Sequence, residues 1–329
     1  MRSYKLYLSM YGTLAVLIAI STLFFAAILT WIGFLNLFAL AFIVTVFNVL
    51  QWLFAPKMIG ALYRVHEVKP NENPKLYRIV EGLSRKMGFK KIPKIMVANL
   101  PIPNAFAYGS PLTGNRVAVT TELLRVLEDE EVEAVVGHEL GHLKHRDVQI
   151  MMFASVLPAI FYFLGYSLLL SGWFGGGYGA RDEEGGALAA LALGGVCLAI
   201  YWFLSLFVLG LSRYREYYAD RESALNIEDG PRKLSEALAK IVYHTGRLKS
   251  YYRRSELGNL SSFKTLFISD PDRAEKDSLE VSGFRRFSDQ QLVNRILSRK
   301  ITLVDRIMEI FSTHPNIVKR LKALRELAS

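Results

Sequence analysis

His138-Glu139-Leu140-Gly141-His142 runs on through Leu143-Lys144-His145-Arg146-Asp147 into an apolar stretch from about Val148 to Phe174, and the reading of this chain turns on that junction. Val132, Val135 and Val136 lead into the pentad at helical spacing. On a helix the two histidines stand one turn apart and face the same way. They can hold one divalent ion together, while the glutamate between them reaches a water on that ion. The stretch that follows is long enough, at about 1.5 Å per residue, to cross a hydrocarbon core of roughly 30 Å. A metal-binding helix leading directly into a membrane span is the expectation.

Working outward, the 329 residues are 51% hydrophobic with a mean hydropathy of +0.22, high for a soluble protein of ordinary charge. The excess gathers in runs from about Tyr11 to Phe34, Leu35 to Ala55, Val148 to Phe174 and Ala187 to Leu211. The first is too long for the apolar region of a signal peptide and the second follows at once, so the pair reads as a permanent hairpin anchor. None of the four runs carries an ionisable residue at its centre, which sets a transporter aside. Cys197 is the only cysteine and sits inside the fourth run, excluding a disulfide framework and a zinc site of several thiolates.

The net charge of +10 lies largely beside the apolar runs, so a lipid bilayer, and not nucleic acid, is the expected partner. Arg2 and Lys5 precede the first run, Lys57, Arg64 and Lys69 follow the second, and Arg213, Arg215 and Arg221 follow the fourth. The link between the third and fourth holds Arg181, Asp182, Glu183 and Glu184 among glycines. The positive-inside rule then puts both termini and both large polar segments in the cytoplasm of a protein of the cell membrane.

Residues 1–55 are thus expected as a transmembrane hairpin, 56–147 as the first part of a cytoplasmic domain, 148–211 as two further spans and 212–329 as the second part of that domain. Within it, a helix is predicted around Pro74 to Met87, a strand near Ile95-Met96-Val97, and strands at Asn104 to Gly109 and Asn115 to Thr120. Thr121 and Asp129 are the predicted caps of the next two helices. From about Thr245 to Ser288 the chain is rich in Arg, Lys, Ser, Gly and Asp, and a mobile loop is expected.

Two histidines do not complete a catalytic zinc site, which normally takes three protein ligands and a water. The third is to be sought among His66, His145, His244, His314 and the carboxylates. Glu216 is attractive because the fourth run delivers it to the same side as the pentad. Asp220, four residues on, shares its helical face and can orient an imidazole from behind.

H-E-L-G-H-L-K-H-R-D at His138 to Asp147 and R-E-Y-Y-A-D-R at Arg215 to Arg221 resemble the HtpX family of membrane zinc endopeptidases. Thr313-His314-Pro315, Arg320 and the order of the apolar runs resemble it too. The resemblance implies one Zn²⁺ held by His138, His142 and Glu216, with Glu139 as general base. It also implies polypeptide substrates, membrane proteins and above all damaged ones, cleaved in quality control. The fold class that results is mainly α: a multi-pass helical membrane protein with a cytoplasmic zincin-like metalloprotease domain containing a small β-sheet.

Peptide hydrolysis at such a site also needs a partner for the oxyanion besides the metal. Arg320 and His314 are the candidates, Arg320 ahead because it stays charged; Tyr217 and Tyr218 are further ones. Asn104-Ala105-Phe106-Ala107 has the small side chains of an edge strand that a substrate backbone could join. A prenyl-protein processing peptidase is the alternative enzyme, disfavoured because such enzymes carry more spans. A non-proteolytic zinc-binding scaffold is disfavoured by Glu139, since a structural site has no use for a general base.

Overall fold

The structure, a computed structural model, describes residues 63–174, 184–251 and 288–328 and a few positions between 50 and 61. The first two apolar runs expected from the sequence lie almost wholly outside the described residues. Among the described residues, one compact unit is built from Leu53–Val148 with Ser212–Ser329, and a second from Gln149–Leu211.

The first unit begins with β1 (Val65–Glu67), α1 (Pro74–Lys86), β2 (Lys94–Ala98), β3 (Ala105–Ser110) and β4 (Gly114–Thr120). It continues with α2 (Thr121–Val126) and α3 (Asp129–Lys144). The chain then passes through α4 (Asp147–Phe174) and α5 (Glu184–Asn226) and returns with α6 (Gly230–Tyr251), α7 (Asp289–Leu297), α8 (Leu303–Ile310) and α9 (Ile317–Ala328).

The sheet order is β1-β2-β4-β3, with β2 and β4 parallel and the other pairs antiparallel. Side chains alternate faces along a strand. Ile95, Val97, Ala105, Val117 and Val119 enter the main core with Leu83, Val135, Leu140, Leu238 and Leu321 of the helices. Met96, Phe106, Tyr108 and Ala118 form the other face with Tyr63. Burial on both faces explains why β2 and β4 read as continuous apolar runs and not as alternating ones.

β3 is an edge strand, paired only with β4 in the sheet order. Thr120 N donates to Asn104 O at 2.9 Å, and Asn104 N donates to Thr120 Oγ1 at 2.9 Å. Because bonded and non-bonded pairs alternate in an antiparallel ladder, Ala105 and Ala107 aim their backbone groups away from β4.

Two predicted caps shift by one residue. Thr120, still extended at the end of β4, caps α2 by accepting from Leu123 N at 3.1 Å. Glu128, not Asp129, caps α3, because Glu131 three residues on reaches back to accept from Glu128 N at 2.8 Å. The loop expected from Thr245 does not begin there. α6 continues to Tyr251 because Thr245 is still buried against the core; residues 252–287 lie outside the described ones.

In the second unit, Gln149–Trp173 and Gly186–Asn226 are each long and apolar enough to cross a membrane. Helix α5 has 43 residues, about 65 Å at the usual rise, twice what a bilayer core takes. Its apolar part ends at Leu211, and the remainder belongs to the first unit. Phe161, Leu164, Cys197 and Leu204 pack between α4 and α5. Gly165 and Gly194 set the crossing, since a Cβ on either would come within 3.0 Å of the other's carbonyl oxygen.

Candidate metal centre

The site starts from a close helix crossing. A Cβ added at Gly137 would sit 2.7 Å from Ile227 Cδ1, and one at Gly141 would sit 3.1 Å from Ala219 Cα. Ser223 Oγ donates to Ala134 O at 2.6 Å across the same contact. Helix α3 and the polar end of α5 therefore meet nearly backbone to backbone. His138 and His142 each follow one of these glycines directly, and Glu216 and Asp220 flank Ala219, so the crossing brings both sets together.

His138 Nε2 and His142 Nε2 lie 3.1 Å apart, with the rings edge to face at 87°. Glu216 Oε2 is 3.6 Å from His138 Nε2, and Glu216 Oε1 is 3.5 Å from His142 Nε2. Behind the rings, Asp220 Oδ1 is 2.9 Å from His138 Nδ1 and Asp147 Oδ2 is 2.6 Å from His142 Nδ1. A carboxylate only accepts, so each Nδ1 carries the proton and each neutral ring turns a lone pair on Nε2 toward the other. Two imidazole lone pairs and a carboxylate then converge, their ligand atoms within 4.8 Å of one another. Mutual repulsion is relieved only by a positive charge between them. The residues fit a divalent metal ion bound by nitrogen and oxygen.

Two arginines hold the supporting carboxylates. Arg320, 1% exposed, donates from Nε to Asp220 Oδ2 at 2.8 Å and brings a second nitrogen 3.2 Å from Glu216 Oε2. Arg215 Nε lies 3.0 Å from Asp147 Oδ1. Burial alone would raise the carboxyl pKa values, but the arginines and histidines outweigh it: Asp147 and Asp220 fall below their usual range, and Glu216 well below. Burial would likewise lower the imidazoles, yet Asp220 and Glu216 raise His138, and Asp147 and Glu216 push His142 up to about 10. Both shifts have one cause, the negative charge that the surrounding carboxylates place around the two rings.

The other predicted residues take definite places. Glu139 is buried in α3 beside His138, and α3 packs against β3, which carries Ala105, Phe106 and Ala107 with Asn104 just before it. His314 is buried with Nδ1 3.2 Å from Glu216 Oε2; among the described residues its Nε2 has no hydrogen-bond partner. Arg320, read from sequence as a cation for the oxyanion, is instead engaged with two carboxylates. His145 pairs with Glu222 at 3.3 Å and packs on Tyr218, His244 packs on Tyr243, and His66 lies in β1; none joins the metal-binding group.

Sequence reasoning left Asp147 and Arg215 without a role. The signal was the five-residue step from His142, but it works only through Arg146, whose φ of 55° turns the chain between α3 and α4 and brings Asp147 back to the ring. In a second acidic group, Glu131, Glu236 and Asp289, Lys240 Nζ is 2.8 Å from Glu131 and 3.1 Å from Asp289, while Glu236 pairs with Arg232. That ammonium already supplies the cation.

The chain is similar to known proteins over most of its length. The sequence profile of Peptidase family M48 matches residues 70–328. The chain is 37% identical over 310 residues to a Protease HtpX homolog of Thermoplasma acidophilum, covering 92% of this chain and 90% of that one. It is 40% identical over 298 residues to a Protease HtpX homolog of Aeropyrum pernix, covering 90% and 86%. The crystal structure of S. mikatae Ste24p is similar in fold, with a TM-score of 0.54 at 16% identity over 98% of this chain and 67% of that one. A site fit for a metal, on a helical fold with a small mixed sheet, thus meets a family match over most of the chain: the protein belongs to peptidase family M48 and is a metal-dependent protease whose substrates are polypeptides.

Proposed function

We propose that the protein is a zinc endopeptidase of the cell membrane that cleaves damaged membrane proteins, with both termini and its active site on the cytoplasmic side. The observation that carries the reading is the convergence of His138 Nε2, His142 Nε2 and Glu216 on one point. These residues would hold the ion, with Asp220 and Asp147 fixing the two rings. Held by these residues, a zinc ion would supply Lewis-acid polarisation of the scissile carbonyl and would make water more acidic.

Glu139 takes the proton from the attacking water and passes it to the leaving amine. His314, when both ring nitrogens carry a proton, donates from Nε2 to the developing oxyanion, since Arg320 is engaged with Asp220 and Glu216 and acts as a positioning residue. Asn104 to Ala107 bind substrate as an added strand along the β3 edge, and main-chain bonds of that kind tolerate many sequences.

The membrane assignment is supported by the exposure of the apolar helices: only 17% of the most apolar window of α5 is buried, too little for a core helix of a soluble fold. Residues 1–55 complete the set of spans, and 56–147 with 212–329 make up the cytoplasmic domain. The test is Glu139→Gln in detergent-purified protein, assayed on an unfolded membrane protein and, separately, on a prenylated peptide. Cleavage of the unfolded protein should fall about 10²–10⁴-fold with metal content unchanged. Undiminished cleavage would remove Glu139 from the mechanism, and preference for the prenylated peptide would replace the substrate class.

A further inference from the structure

Helix α8 is built inside out. Its acidic residues, Asp305 and Glu309, face the protein at 4% and 6% exposure, while Leu303, Val304, Ile307, Met308, Ile310 and the following Phe311 are 44% to 73% exposed. The buried acids are satisfied there: Asp305 accepts from Thr302 N at 3.0 Å, and Glu309 accepts from Asn316 N at 3.1 Å and pairs with Lys319. At about 100° per residue the apolar side chains share an arc of roughly 160°. A helix on a water-facing surface would show the reverse pattern. A contiguous apolar face of this kind marks an interaction surface.

Chain connectivity says what covers it. Arg213 donates to Ile310 O at 2.9 Å and to Ser312 O at 2.8 Å, tying the end of α8 to α5 just past Leu211, where the apolar run gives way to charge. If residues 149–173 and 186–211 span a bilayer, as proposed above and as this inference requires, that point is the membrane interface. Exposed Lys300 and Arg306 border α8, and both acids of the helix are turned inward. Apolar face, basic flank and anchorage at the interface are the attributes of a helix lying in the plane of a membrane.

We propose that α8 is embedded in the headgroup–acyl boundary of the bilayer, with Leu303, Val304, Ile307, Met308 and Phe311 among the lipid chains and Lys300 and Arg306 near anionic headgroups.

The test uses the full chain carrying Cys197→Ala and Met308→Cys, with an environment-sensitive fluorophore on the new thiol and Ile307→Cys as a second probe position. Metal content equal to that of the unlabelled protein serves as the folding check. The protein is reconstituted in phosphatidylcholine–phosphatidylglycerol vesicles containing lipids with a doxyl quencher near the headgroup or deep in the chain. At an immersion of roughly 5–10 Å, emission should be that of an apolar environment and quenched about twice as strongly by the shallow label. Water-like, unquenched emission from protein that resists alkaline extraction would overturn the proposal while leaving the spans intact. Apolar emission without lipid quenching would mean that protein covers the face, a second copy or a partner, and would also overturn it. Release of the protein by alkaline extraction would defeat the spans and the embedded helix together.

Discussion

At the scale of single residues, the two histidines proposed to bind the metal are held by matching relays: Arg320–Asp220–His138 and Arg215–Asp147–His142. Each carboxylate fixes the proton on Nδ1 and so frees Nε2 for the metal. Asp147→Asn keeps the shape but turns an acceptor of full charge into an amide, and metal affinity should fall about 10–100-fold. Chelator competition checks this; an unchanged affinity would mean that Asp147 merely fills space. Glu222 offers a pH prediction away from the metal. Its contact with His145 holds its carboxyl at about 2, against burial, with Lys144 adding to the effect. A depressed folded-state pKa stabilises above the unfolded value near 4.5 and the benefit is lost as pH falls through about 2. Glu222→Gln should therefore flatten the acid limb of the stability curve between those values, measured by thermal unfolding at successive pH. An acid limb identical to the parent's would refute the pairing. The pentad is legible in sequence because a four-residue step is local. The role of Arg320 is not, because a hundred residues separate it from Asp220, and from sequence alone a cation near the end of the chain looks free.

At the scale of elements, the centre depends on how closely α3 approaches the polar end of α5. Gly141→Val would drive a branched side chain into Ala219 Cα and the Glu222 stem, which stand only 3.1 Å and 3.2 Å from where a β-carbon at that position would lie. The helices should part and metal affinity should drop at least tenfold, with helical content retained by circular dichroism. Tight metal binding in that variant would show that the crossing has slack. Sequence patterning finds these helices and three of the four strands, because burial on both faces leaves long apolar runs; β1, three residues long and largely exposed, leaves no such run. It does not find the approach distance, since a glycine inside H-E-L-G-H reads as an ordinary helix weakness until its neighbour is known. The one-residue cap shifts have a similar origin: Glu128 and Thr120 cap through partners three residues on, and several acidic or hydroxyl residues stand side by side. The late end of α6 follows from burial of Thr245, which composition does not reveal.

At the scale of the whole molecule, two discontinuous polar segments form one unit, and a single helix, α5, carries apolar residues of the other unit up to Leu211 and then Glu216 and Asp220 of this one. Order along the chain made that pairing legible, since the pentad and Glu216 sit just outside opposite ends of the stretch that holds the two apolar runs, Val148 to Phe174 and Ala187 to Leu211. Metal bound to the folded state and not to the unfolded one adds stability by mass action, about 4 kcal/mol when free metal is a thousandfold above its dissociation constant. Chelation should accordingly lower the unfolding temperature of the wild type, and a chelator that left it unchanged would mean the ion is not bound by the native fold. Everything proposed for the chemistry requires that His138, His142 and Glu216 grip one ion jointly, and zinc per chain in the purified wild type and in Glu216→Ala probes that grip without an activity assay. One equivalent is expected in the wild type and a small fraction of that in the variant, with folding retained; a full equivalent in both would mean that Glu216 is not a ligand and that the three residues do not share an ion.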